Sequence, residues 1–220
     1  MLRVAIDGPG GTGKSTVAKA VAERLGLEYI DTGAMYRSIA LKAVKKGVDV
    51  EDEPAVVAML ADTVIDFNDH KVYLDGEDVS GQIRTNEISM AASTVSKLGP
   101  VRAKVDEVSK RLAATKNVVM EGRDIGTVVI PDAEVKIFMT ADSEIRARRR
   151  YNQLIEQGRP GDLGEIKADI EKRDYQDSHR EINPLKQADD AVYLDTSDMS
   201  LEENIDAVCK LIEKASSQIV

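Results

Sequence analysis

The sequence predicts an α/β fold, with about five parallel core strands covered by helices and an antiparallel insertion hung on them. Three observations carry this. Short apolar runs rich in β-branched residues alternate with longer stretches of helical period, the pattern of a parallel sheet buried on both faces. A glycine-rich segment joins the first apolar run to the first amphipathic stretch. Between about Thr63 and Gly81 the alternation breaks into two strand-like runs around a turn.

Each element has a local reason. The core strands are read from Leu2 to Ile6, Leu27 to Ile30, Val118 to Met120, Val135 to Met139 and Ala191 to Leu194. The first helix places Val17, Ala18, Val21, Ala22 and Leu25 on one face, with Gly26 where a left-handed cap ends it. The last starts at Ser200, with Glu203 three residues on as its capping-box partner, and buries Ile205, Val208 and Ile212. Val64-Ile65-Asp66-Phe67 and Val72-Tyr73-Leu74 flank Asn68-Asp69-His70 and read as a hairpin, with His70 a solvated turn residue. The chain then divides into a core of 1–54 and 96–220 and an insertion of 55–95.

Composition narrows the function. Lys and Arg total 30 against 39 Asp and Glu, a net −9 over 220 residues, and hydrophobic residues make up 42%. That balance describes a globular chain with a full core, and it argues against binding nucleic acid or an anionic membrane surface, which takes a basic face. No apolar run is long enough for a membrane span or a signal segment. The single cysteine, Cys209, lies in a helical apolar stripe and reads as packing, so a reducing, cytoplasmic location is expected.

Gly8-Pro9-Gly10-Gly11-Thr12-Gly13-Lys14-Ser15 is a glycine, four residues, then Gly-Lys-Ser, placed between a strand and a helix. Glycines let the backbone wrap phosphate oxygens with inward N–H groups, and the helix N-terminus adds positive potential. Lys14 would reach the β and γ phosphates, and the Ser15 hydroxyl would ligate Mg²⁺. A nucleoside triphosphate site follows. The chain has no Asn-Lys-x-Asp guanine-reading motif. Arginines supply what a second anion site needs: Arg37 follows the segment Asp31 to Tyr36 and is expected at the crevice beyond the strand ends.

Four motifs together resemble the bacterial cytidylate kinases, a family of nucleoside monophosphate kinases with the phosphate-loop fold. They are Ile6-Asp7-Gly8-Pro9, Asp31-Thr32-Gly33-Ala34-Met35-Tyr36-Arg37, Glu121-Gly122-Arg123-Asp124-Ile125-Gly126-Thr127, and Lys172-Arg173-Asp174 through Arg180. The resemblance implies transfer of the γ-phosphoryl group of ATP to CMP or dCMP with Mg²⁺, by a monomer. It also implies that the insertion binds the monophosphate and that a short lid, about 156–166 with Gly158-Arg159-Pro160-Gly161 at its tip, closes over ATP.

The resemblance distributes roles residue by residue. Gly8 to Ser15 and Thr16 contact ATP. Ser93, Arg102 and Asp124 read cytosine, whose N4 amino group and N3 and O2 acceptors need a carboxylate beside a cationic or hydroxyl donor. Arg173 and Asp177 contact the ribose, while Arg37, Arg123 and Arg180 clamp the acceptor phosphate, with Thr32 and Tyr36 beside them. Arg173, Asp177 and Arg180, spaced i, i+4 and i+7, are expected on one helical face. From Arg146 to Arg159 five arginines face one acid, Glu156. Arg146 and Arg150 are assigned to the transferring phosphate beside Lys14, and Arg148 to the surface. Glu121 stands where these enzymes often carry Asp and would hold Mg²⁺ through water. Asp7 or Glu121 could help accept charge, with no general base required. Two other readings stay open: a kinase for another small acceptor, and a nucleotide-dependent binding module without transfer.

Overall fold

A computed structural model describes residues 1–156 and 158–217. In chain order its elements are β1 (Arg3–Asp7), α1 (Lys14–Leu25), β2 (Glu28–Asp31), α2 (Thr32–Lys46), α3 (Glu53–Leu60), β3 (Ile65–Asn68), β4 (Lys71–Leu74), β5 (Glu77–Asp78), α4 (Asn86–Val95), α5 (Gly99–Thr115), β6 (Val118–Gly122), β7 (Val135–Thr140), α6 (Ser143–Glu156), α7 (Leu163–His179), β8 (Val192–Asp195) and α8 (Leu201–Ser216). Two sheets result, a five-stranded one in the order β2-β6-β1-β7-β8 and a three-stranded one in the order β3-β4-β5. β1 pairs with β7, and β7 with β8, in parallel, whereas β3, β4 and β5 run antiparallel. The predicted α/β class and all five core strands are therefore present.

The chain forms two compact units, one of Leu27–Val118 and one of Leu2–Gly26 with Val119–Val220. In the second, which bears the glycine-rich loop, Val4, Ala5 and Ile6 of β1 and Ile137 and Met139 of β7 are buried with Val17, Val21, Val208 and Ile212. Gly26 ends α1 at φ 64° with its N–H on Ala22 O, and Ser200 and Glu203 form the predicted capping box. In the unit that bears the hairpin, Met35, Ile39, Ile65, Phe67, Val105 and Leu112 form the core.

The hairpin turns on Asp69 and His70, both left-handed at φ 52° and 58°, as a two-residue turn that matches strand twist requires. His70 departs from the prediction. Its Nδ1 accepts the Tyr29 N–H at 3.3 Å, and its own N–H donates to Glu28 Oε1 at 2.9 Å. The turn histidine thus bonds one backbone N–H and one side chain of β2 and leaves its ring only partly exposed. β5 was not predicted, because its two residues are acidic and exposed and carry no apolar alternation.

Candidate active site

The glycine-rich loop leaves β1 at Asp7 and enters α1 at Lys14. Gly8 has φ 149°, and a Cβ there would collide with the Met139 carbonyl, so only glycine lets the chain turn against β7. Gly13, left-handed at φ 93°, is the N-cap of α1. Lys14 is buried, and its Nζ donates to Pro9 O at 2.7 Å across the loop. Burial, with the Arg123 cation second, lowers the Lys14 pKa to about 7, and the carboxylates of Glu121 and Asp7 act in the opposite direction. Ser15 and Thr16 are exposed at the start of α1.

The end of β6 and the two residues that follow it deliver Glu121, Gly122, Arg123 and Asp124 to the same region. Glu121 and Asp124 are buried. Arg123 Nε donates to Asp177 Oδ2 at 2.7 Å, and Arg180 Nη2 lies 3.2 Å from Asp124 Oδ2. Burial opposes the Arg123 charge, but the ion pair with Asp177 outweighs it and the guanidinium stays protonated. Immediately beyond, Ile125–Val129 form a single π-helical turn. Asp7 Oδ1 and Oδ2 accept the N–H groups of Ile125 and Gly126 at 2.8 and 2.7 Å. Asp7 is therefore spent on holding this turn, and burial raises its pKa to about 6.

α7 brings the remaining partners, with one correction. The helix ends at His179, and Arg180 is extended at φ −66°, ψ 145°, so the three predicted residues do not share one helical face. Leaving the helix lets Arg180 Nε donate to Asn183 O at 2.6 Å while its other end meets Asp124. Arg173 stays exposed on the helix.

α6 separates its arginines sharply. Arg146 is buried and donates to Ala141 O at 2.8 Å, to Gly10 O at 2.9 Å and to Asp174 Oδ2 at 2.6 Å. Arg150 is exposed and bonds Gln153 Oε1, and Arg148 pairs with Glu144 on the surface. Asp174, part of the Lys172-Arg173-Asp174 motif but given no role there, anchors Arg146. The signal for it was its place one turn before Asp177 on the same helix.

In the other unit Asp31 caps α2, accepting the Ala34 N–H at 3.1 Å, and its second oxygen holds Arg37 Nη2 at 2.6 Å. The Arg102 guanidinium carbon lies 5.9 Å from the Tyr36 ring centroid, and Arg102 and Thr32 are buried. Ser93 is exposed on α4. Thus Thr32, Tyr36, Arg37 and Arg102 are all borne by helices of this unit that carry ordered polar contacts.

The family model for cytidylate kinase matches residues 4–214. The chain belongs to the cytidylate kinase family. Curated relatives include the cytidylate kinases of Lactobacillus johnsonii, 49% identical over 97% of this chain and 95% of its own length, and of Caldanaerobacter subterraneus, 46% identical over 97% and 95%. A shikimate kinase from Bacteroides thetaiotaomicron and a gluconokinase from Sinorhizobium meliloti align with TM-scores of 0.50 at 15% identity, over 96% and 99% of this chain and 98% and 95% of theirs. Those two share the kinase fold only. As a member of the cytidylate kinase family the chain is a kinase, and among its described residues no helix is long and apolar enough to cross a membrane.

Proposed function

We propose that the protein transfers the γ-phosphoryl group of ATP to CMP or dCMP, giving CDP or dCDP and ADP. The observation that carries this is the crossed pairing of Arg123 with Asp177 and of Asp124 with Arg180 in the unit that holds the phosphate loop, in a chain of the cytidylate kinase family. Two cations and two carboxylates are thereby ordered at once. A pyrimidine monophosphate needs both: cations for its phosphate, carboxylates for its amino and ribose donors.

In this reading the N–H groups of Gly8 to Ser15 and Thr16 cradle the triphosphate, and Lys14 follows the migrating group. Arg37, Arg123 and Arg180 hold the acceptor phosphate, with Thr32 and Tyr36 beside it. Ser93, Arg102 and Asp124 read the base, and Arg173 and Asp177 the ribose. Arg146 stabilises the transferring phosphate from its anchored position, and Arg150 joins it from the exposed side of α6. Phosphoryl transfer rests on positioning and charge, so no group need act as a base. Asp7, with both oxygens on backbone N–H groups, is suited to support rather than proton transfer.

Mg²⁺ fits the residues present, because the Ser15 hydroxyl and the Glu121 carboxylate are hard oxygen donors. Bound with ATP, the ion would neutralise phosphate charge, with Glu121 acting through water. The further parts of the reading are an insertion of 55–95 that binds the monophosphate, a lid of about 156–166, and a cytoplasmic monomer that binds no nucleic acid.

The test is ADP release at fixed Mg·ATP with CMP, dCMP, UMP, AMP and GMP as acceptors. Turnover should be far higher with CMP and dCMP. Equal turnover with AMP would refute the assignment.

A further inference from the structure

α6 carries another arginine that faces the phosphate loop and has no role in the motifs. Arg149 Nη2 donates to Thr196 O at 2.6 Å, and its Nη1 reaches Thr12 O at 3.3 Å and Thr196 Oγ1 at 3.4 Å. Thr196 is fully buried at the start of the β8–α8 connection. Its hydroxyl donates to Thr140 O at 2.9 Å and lies 3.4 Å from Thr12 O. One turn earlier on α6, Arg146 Nη1 holds Gly10 O.

Arginines three apart on one helix therefore hold carbonyls two apart in the loop. In a trans peptide the N–H points opposite the C=O. Fixing Gly10 O and Thr12 O toward α6 turns the N–H groups of Gly11 and Gly13 away from it. Gly13 is left-handed at φ 93° and carries no Cβ, so its own backbone does little to fix the orientation of that peptide. Unheld, it could rotate its carbonyl toward an anion. The cation beside this carbonyl is Arg149, held at 2.6 Å by the Thr196 carbonyl and at 3.4 Å by the buried Thr196 hydroxyl, which donates to Thr140 O of β7.

We propose that Arg149, held by Thr196, is a positioning residue that fixes the Thr12–Gly13 peptide with its N–H set to receive the triphosphate. It touches no reacting atom. The inference rests on the ATP-dependent reading above but concerns only the triphosphate side.

The experiment titrates Mg·ATP into the full-length wild type and the variants Arg149→Met, Arg149→Lys, Thr196→Val and Thr196→Ser by calorimetry, with Arg148→Met as a surface control. Loss of charge-assisted hydrogen bonds to the loop should weaken Mg·ATP binding about tenfold in Arg149→Met. Arg149→Lys should fall between, because a point charge cannot hold two acceptors in a fork. Thr196→Val should weaken binding and Thr196→Ser should restore it. In steady-state assays the loss should fall on KM for ATP, with KM for CMP unmoved. Unchanged ATP affinity in Arg149→Met, with only a lower melting temperature, would mean the contacts are merely structural and would overturn the proposal. If Arg149→Met does not fold, equal affinity in Thr196→Val and Thr196→Ser overturns it instead. A wild type that binds ATP but phosphorylates no CMP would sink the kinase assignment and leave the binding comparison intact.

Discussion

Arg123 donates its Nε to Asp177 Oδ2 at 2.7 Å, joining the end of β6 to the last turn of α7. Both side chains are roughly three-tenths exposed, so solvent screens the pair only in part. Removing one partner leaves the other charge incompletely compensated, which costs more than removing both. Asp177→Ala should destabilise the protein by about 1–3 kcal/mol, less than a fully buried pair would lose. The double variant with Arg123→Met should be less destabilised than the sum of the singles, by about 1 kcal/mol or more. Urea unfolding of the four proteins measures this coupling. Additive effects would show that the pair is ordered but energetically idle.

The neighbouring carboxylate makes a different prediction. Asp124 is held by Arg180 and buried, so its oxygens have a fixed direction. If Asp124 accepts from the cytosine amino group, Asp124→Asn should lower the ratio of kcat/KM for CMP over UMP by roughly tenfold, the worth of one hydrogen bond to a charged group. An unchanged ratio would remove Asp124 from base reading.

The parts of this molecule legible in the sequence are those governed by local pattern. β-branched runs marked all five core strands, and Gly26 and the Ser200–Glu203 pair marked helix ends where the structure has them. The glycine-rich motif was legible because strand, loop and helix succeed one another in a fixed count. Long-range polar bonds had no such signature. Asp7 caps a turn 118 residues away, and Arg146 reaches Gly10 across 136. Spacing placed Arg180 on the α7 face, but the helix ends one residue earlier, and only the extended conformation lets it reach both Asn183 and Asp124. His70 looked solvated for a similar reason, since its acceptor role depends on a strand about forty residues upstream.

That histidine is testable in its own right. His70 Nδ1 satisfies the Tyr29 N–H, a donor left without this partner in His70→Ala. The substitution should cost about 0.5–1.5 kcal/mol, the usual worth of one such bond. It should also speed hydrogen exchange at the Tyr29 amide more than at Ile30. Unaltered protection at Tyr29 would show that another group serves that N–H.

Lys14 gives a pH dependence with a definite sign. Burial, with Arg123 second, depresses its pKa from 10.5 to about 7 in the free protein. Between those values the unfolded chain holds one more proton, so this group makes stability rise with pH across that window. Lys14→Met should flatten the rise. Bound triphosphate reverses the balance by favouring the ammonium. At pH 8 the mostly neutral lysine must then take up a proton, and the uptake should approach one per ATP bound. Well below pH 7 the lysine is already charged, and its share of the uptake should vanish. Above pH 7, affinity should fall by up to about tenfold per pH unit, the linkage expected for a single proton. Calorimetry at pH 8 in buffers of different ionisation enthalpy reads the uptake directly, and Lys14→Met should abolish it. A binding enthalpy independent of buffer at pH 8 would mean that Lys14 is charged before ATP arrives, and that Glu121 and Asp7 outweigh its burial.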